Sequence, residues 1–463
     1  MIPSWRNMPV TVSAGWYRNR IGWRISPKCS IRSLASAAEI ARISHDAGFC
    51  DGQGGWHGQK LEGVFFVENV PMSDIAGRIV SLQALLNQNE VDLAVIRQNA
   101  DLFYFAGTVQ DAHLLVPASG QPVLLVRRDL GRAETQSPIR PLLVLQSMKD
   151  LVPAAEQACA GRILRRIGME LDVLPASSFF YYDEKLFPRQ QIVDISNLVR
   201  QVRMVKSPWE LEMMRGAAAI SKTVAEAVPS FLREGITELE LSAELERVAR
   251  TAGHLGLVRL RSFNMDMYFG HILSGPDAAV SSYADAPTGG VGLSPAFGQG
   301  PSLRRIARNE VVSVDTMLNH NGYLNDQTRN FAVGQPPVQL MDAYQVVREI
   351  HAGMGARAIP GAITGELYDW VWQEVTRLGW QDFFMGADAS RVKFIGHGLG
   401  VEVDELPFIA QGQSLALQAN MTFAFEPKFI IPGVGITGLE NTYVVTHDGL
   451  ESLNTASEEL IVV

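Results

Sequence analysis

Cysteine is scarce in this sequence. Cys29, Cys50 and Cys159 are its only three, and they form neither a disulfide framework nor a zinc-ligand pattern. A reducing cytoplasm fits them best. No apolar run is long enough to cross a bilayer, so the sequence offers no membrane helix. Positive charge is short as well. A net charge of −9 at pH 7 lacks the basic face that general nucleic-acid binding requires. The first 38 residues run the other way, with six basic residues and no acidic one. Their tryptophans, Trp5, Trp16 and Trp23, follow neither a helix nor a strand period. Such a segment reads either as a targeting signal or, preferably, as sequence ahead of the protein's actual start. On that second reading the fold begins at Met72 or Ser73, and a chain starting there is expected to fold like the whole.

What is present is ordinary globular sequence. Of 463 residues, 47% are apolar and 19% charged, enough for two or three domains with a sizeable core. The pattern predicts an α/β (α+β) protein in three parts: an unassigned extension over 1–72, a small sheet domain over 73–202, and a larger domain over 203–463. A helical period over Ile75–Leu86 precedes short apolar runs at Val91–Ile96, Leu102–Ala106, His113–Val116, Val123–Val126 and Leu142–Leu145. At Ser207 a capping box, Ser207-Pro-Trp-Glu210, predicts a long helix from about Pro208 to Phe231. Thr237 and Glu240 cap a second. A helical pattern from Tyr344 to Arg357 is followed by another, with Thr364 in the capping position. Each helix pair gives way to β-rich sequence, Val311–Val333 and Met421–Thr446. Two helix–helix–sheet halves predict a pseudo-twofold domain with a site between them.

Three segments carry candidate chemistry. In Val311–Phe331 two strands flank an Asn-His-Asn-Gly turn. With Asn319 opposite Gly322, Asp315 faces Asp326; a register two residues different makes them diagonal neighbours. Either way strand parity puts both carboxylates on one face, where they repel unless a cation lies between them. They read equally as solvated acids beside a turn. His397 is bracketed by glycines in Gly-His-Gly-Leu-Gly400, which suits a metal ligand or a structural turn. Glu426 and Glu440 each stand at the edge of an apolar strand, as partnered buried acids or as exposed strand ends.

Taken in order, Val-Asp315, Gly-Tyr-Leu-Asn-Asp326-Gln-Thr-Arg329, Gly-His397-Gly-Leu-Gly400, Phe-Glu426-Pro and Leu-Glu440-Asn-Thr resemble the motifs of metallopeptidase family M24. That family has the pita-bread fold and includes prolidase, aminopeptidase P, methionine aminopeptidase and the metal-free creatinase. Met204–Met214, which opens the large domain, resembles it too, and 73–200 resembles the creatinase/prolidase N-terminal domain. The resemblance implies two divalent metals, Mn above Co, Fe or Zn, bound by Asp315, Asp326, His397, Glu426 and Glu440. Asp326 and Glu440 would bridge them, Asp315 would serve one, and His397 with Glu426 the other. It further implies a metal-activated hydroxide attacking a peptide carbonyl, Glu426 shuttling protons, and Thr328 bonding a ligand carboxylate. The implied activity is that of an Xaa-Pro dipeptidase or aminopeptidase acting on short peptides, as a homodimer.

Three departures bear on that reading. The family's histidine seven residues beyond His397 is Asp404 here; another, before the first aspartate, is Ser282; and a prolidase-type arginine is Gly438. Asp404 near metal charge would be held ionised, able to accept a bond or act as a base. His271 could substitute for a lost histidine or be structural. The loop Pro287–Pro301 could cover a cleft or be plain surface. The alternative activity is that of a non-peptidase pita-bread enzyme, a lyase of the dimethylsulfoniopropionate type on a small molecule. The intact ligand set weighs against a relative without turnover.

Overall fold

The computed structural model describes residues 68–387 and 391–463. The basic, tryptophan-bearing segment, and the reading of it as an extension, lie outside the described residues apart from their last few positions. Val70 is buried and Asn69 donates to Thr135 O, so packing begins ahead of Met72.

The helix Met72–Gln88 buries Ile75, Ile79, Leu82 and Leu86, one face at helical spacing, on a six-stranded sheet. That sheet has the order β4-β3-β2-β1-β5-β6. Its strands are β1 (Leu93–Ile96), β2 (Ala112–Pro117), β3 (Val123–Val126), β4 (Leu142–Val144), β5 (Arg166–Met169) and β6 (Gln191–Asp194). One apolar run departs from the strand reading: Leu102–Ala106 lies in the helix Asn99–Ala106. Gln98 caps it by accepting from Asp101 N, and Gly107 ends it at φ 72°, so local capping overrides the run's apolar pattern.

The helix Pro208–Phe231 starts at the capping box of Ser207 and Glu210. Together with Glu238–Thr251, capped by Thr237 and Glu240, it packs Ile220, Val224, Val228, Leu241 and Leu245 against one sheet. That sheet, ordered β17-β9-β8-β7, contains β7 (Gly270–Ser274), β8 (Val311–His320), β9 (Tyr323–Ala332) and β17 (Ile461–Val462). The second helix pair, Val338–Gly355 and Thr364–Arg377, packs on Phe423 and Phe425 of the other half. Thr364 does not cap its helix: Ile363 holds the cap position, and Thr364 Oγ1 is buried without a hydrogen-bond partner. The second sheet, ordered β11-β10-β12-β15-β16, contains β10 (Phe394–Leu399), β11 (Val403–Ala410), β12 (Thr422–Phe425), β15 (Asn441–Thr446) and β16 (Gly449–Ser452). A ribbon of β13 (Lys428–Ile431) and β14 (Gly435–Gly438) leaves it beside the site. Among the described residues no helix is long and apolar enough to cross a membrane.

Candidate metal centre

The two aspartates are placed by the turn between β8 and β9. Asn321 and Gly322 have φ of 47° and 91°, so they form a two-residue Asn-Gly loop and His320 pairs with Tyr323. The four-residue turn with Asn319 opposite Gly322 is therefore not formed. Asp315 lies opposite Thr328 and Asp326 opposite Met317. The carboxylates are diagonal neighbours on one face, the second of the two registers considered above.

The remaining candidate ligands come from the other half. His397 lies in β10, Glu426 directly follows β12, and Glu440 sits between β14 and β15. An isolated bridge between Thr328 and Glu440 stitches the two halves together at the site. Thr328 Oγ1 donates to Glu440 Oε2 at 2.7 Å, and Arg329 Nη1 donates to the Glu440 carbonyl at 2.8 Å. Asp315, Asp326, His397, Glu426 and Glu440 thus line one cleft, together with His271 and Asp404.

Asp326, His397 and Glu440 offer atoms that all lie within 4.8 Å of one another. Asp326 Oδ1 is buried without a hydrogen-bond partner. Burial and the Glu440 carboxylate hold Asp326 well above the usual carboxylate range, and Glu440 is pushed up to about 7 chiefly by burial. An acid cluster with too little positive charge around it suits a divalent cation. His397 Nδ1 faces Gly398 O at 3.2 Å, while Nε2 faces Asp326 and Glu426 at 3.9 and 3.7 Å. A proton on Nδ1 leaves the Nε2 lone pair aimed into the cluster, the tautomer ligation needs. These residues fit one ion.

A sixth group was not singled out from sequence. Lys428 Nζ donates to Asp315 Oδ2 at 2.8 Å, to Glu426 Oε2 at 2.9 Å and to Glu440 Oε2 at 3.3 Å. Its side chain is only 6% exposed. Burial opposes its charge, but the three carboxylates outweigh burial and hold it firmly as an ammonium. The signal available was proximity: Lys428 stands two residues after Glu426, close enough for its Nζ to reach back to that carboxylate.

The departures are now placed. Asp404 adopts φ 62°, and its carboxylate lies 3.5 Å from His397 Nδ1, two-fifths exposed. The protein's own groups act against the ionisation expected of it: desolvation in the cleft raises its pKa, His397 offsets part of that, and Glu426 adds to the rise. His271 pairs with Asp315 across β7 and β8, and burial lowers its pKa, favouring the neutral ring. Ser282 bonds Gln299 and lies off the cleft, whereas Gln299 itself lines it. The loop from Pro287 contributes Pro287, Thr288 and Gln299 to the cleft, while Leu293 is exposed.

Residues 212–447 match metallopeptidase family M24, and residues 78–205 match the creatinase/prolidase N-terminal domain. The chain belongs to metallopeptidase family M24. It is 25% identical over 386 residues to an uncharacterized peptidase of Bacillus subtilis, covering 83% of this chain and 99% of that one. It is also 25% identical over 399 residues to the Xaa-Pro dipeptidase of Lactobacillus helveticus, covering 82% and 98%. Two solved structures share its pita-bread fold. The prolidase of Pyrococcus horikoshii superposes with a TM-score of 0.69 at 22% identity, covering 83% of this chain and all of that one. The Xaa-Pro dipeptidase of Bacillus anthracis superposes with a TM-score of 0.71 at 23% identity, covering 84% and 100%.

Proposed function

We propose that this chain is a metal-dependent hydrolase of short peptides of the Xaa-Pro type. The observation that carries this is the convergence of Asp326, His397, Glu426 and Glu440, with Asp315, in one cleft between the two halves. Asp326, His397 and Glu440 would hold the ion, with manganese favoured by an oxygen-rich donor set. Bound there, a divalent ion supplies a Lewis acid and acidifies water beside it. Lys428 engages Glu426 Oε2, leaving Oε1, 3.7 Å from His397 Nε2, as the oxygen we assign to proton transfer. Met265, Met267 and Ile436 give the cleft an apolar wall that suits a prolyl ring. His271, neutral and adjacent to Asp315, is a candidate donor to the substrate. The dipeptidases among the relatives support the substrate class. A cytoplasmic setting rests on the three cysteines, and a homodimer on the family resemblance.

Hydrolysis of Gly-Pro, Ala-Pro and Met-Pro by purified protein supplied with Mn(II) tests this reading. Turnover abolished by a chelator and restored by metal is the expected result. No cleavage of any Xaa-Pro peptide under metal supply, with cleavage of another small molecule, would overturn it.

A further inference from the structure

The family resemblance assigns two ions to this centre, and Lys428 holds carboxylates it assigns to both: Asp315 from one, Glu426 from the other and Glu440 from the bridge. Its three N–H donors meet three acceptors, Asp315 Oδ2, Glu426 Oε2 and Glu440 Oε2, leaving no donor over. A divalent ion bonded to those oxygens would sit about 2.0–2.2 Å from each. That space is already taken by an ammonium nitrogen 2.8–3.3 Å from the same atoms.

The lysine is also fixed from outside the cluster. Its backbone N–H points to Met385 Sδ at 3.3 Å, and its carbonyl accepts from Met385 N at 2.9 Å. Its stem passes over Gly438, its direct partner on β14, where any Cβ would overlap Lys428 Cγ.

We propose that Lys428 takes the place of a second metal ion. The centre then binds one divalent ion, at Asp326, His397 and Glu440, and Asp315 serves the lysine rather than a metal. The proposal rests on the metal-dependent reading above and goes beyond it. Lys428 becomes a fixed positive charge on one side of the cleft, doing part of what a second ion does in a two-metal clamp.

The test counts ions. Protein stripped of metal, reconstituted with Mn(II) and freed of excess, is assayed by elemental analysis and titration calorimetry. Wild type is expected to hold one ion per chain. Lys428→Met keeps the stem and removes the charge; it is expected to hold two. Lys428→Gly repeats the test without a stem, and circular dichroism checks that each variant is folded. Two ions in wild type would overturn the proposal, as would a single ion in both folded variants. Xaa-Pro hydrolysis assayed in parallel separates the two readings: two ions with hydrolysis removes only the proposal for Lys428. No ion in wild type would remove the metal-dependent reading as well.

Discussion

Lys428 and Gly438 face one another across the β13–β14 ribbon, and the side chain of one occupies the space a Cβ on the other would need. Besides overlapping Lys428 Cγ, that Cβ would lie 3.1 Å from Lys428 Cβ and from Pro427 O. Gly438→Ala is therefore expected to destabilise the protein by about 1–3 kcal/mol, the usual cost of overpacking a filled interior. In Lys428→Gly, where the stem is gone, the same change should cost much less. A double-mutant cycle in urea measures this; equal costs in the two backgrounds would show that the residues do not compete for space.

Asp404 occupies a position where the family resemblance supplies a histidine, and its left-handed backbone tolerates Asp, Asn and His better than most residues. Asp404→His should therefore fold without strain. A lost transition-state donor commonly costs about two to three orders of magnitude in rate. Wild type is expected to be slow on Ala-Pro, with Asp404→His faster by about tenfold or more. Fast wild-type turnover that Asp404→His reduces would contradict this.

Arg203 lies at the centre of a buried ion network. Its guanidinium meets Asp101 at 2.7 Å, Glu402 at 2.6 Å and Glu405 at 2.5 Å, with Arg261 and Lys206 joining the same acids. Arg203 and Lys206 hold Glu405 down at about 2 despite its burial. Arg203→Met would leave buried carboxylates uncompensated, at a cost of about 3–5 kcal/mol. Thermal melting should show a large fall in Tm. A change under 1 kcal/mol would mean that the remaining cations suffice.

His351 is neutral inside the fold. Its Nε2 donates to Leu439 O at 2.9 Å, and Nδ1 accepts from the Tyr443 hydroxyl at 3.0 Å. Burial lowers its pKa to about 3, against about 6.5 when unfolded. The unfolded chain thus binds the extra proton, and this contribution is complete above pH 6.5. It is lost at about 1.4 kcal/mol per pH unit as the pH falls below that value. Urea unfolding of His351→Gln should show a shallower decline than wild type between pH 6.5 and 5. Parallel declines would place the acid sensitivity elsewhere.

Much of this was legible from local pattern. Ser207 with Glu210 and Thr237 with Glu240 marked their helices because a capping box satisfies two backbone donors within four residues. The five chemistry-bearing motifs were legible in order because each stands against an apolar or glycine-rich background. The hairpin register was not, since it turned on whether Asn319 or His320 closes the loop. The left-handed geometry of Asn321 and Gly322 decided for His320. Lys428 escaped notice because its meaning depends on three acids, two of them, Asp315 and Glu440, brought in from other segments. Gly438 read as a missing arginine; with Lys428 opposite, it reads as the space that lysine needs.

The central claim is that Asp326 helps to hold a divalent ion on which peptide hydrolysis depends. The direct measurement is the manganese content of reconstituted wild type and Asp326→Asn, a nearly isosteric change that removes one charge from the cluster. Wild type should retain its ion through gel filtration, and Asp326→Asn should lose it along with Ala-Pro hydrolysis. Full retention of the metal by Asp326→Asn would contradict the account.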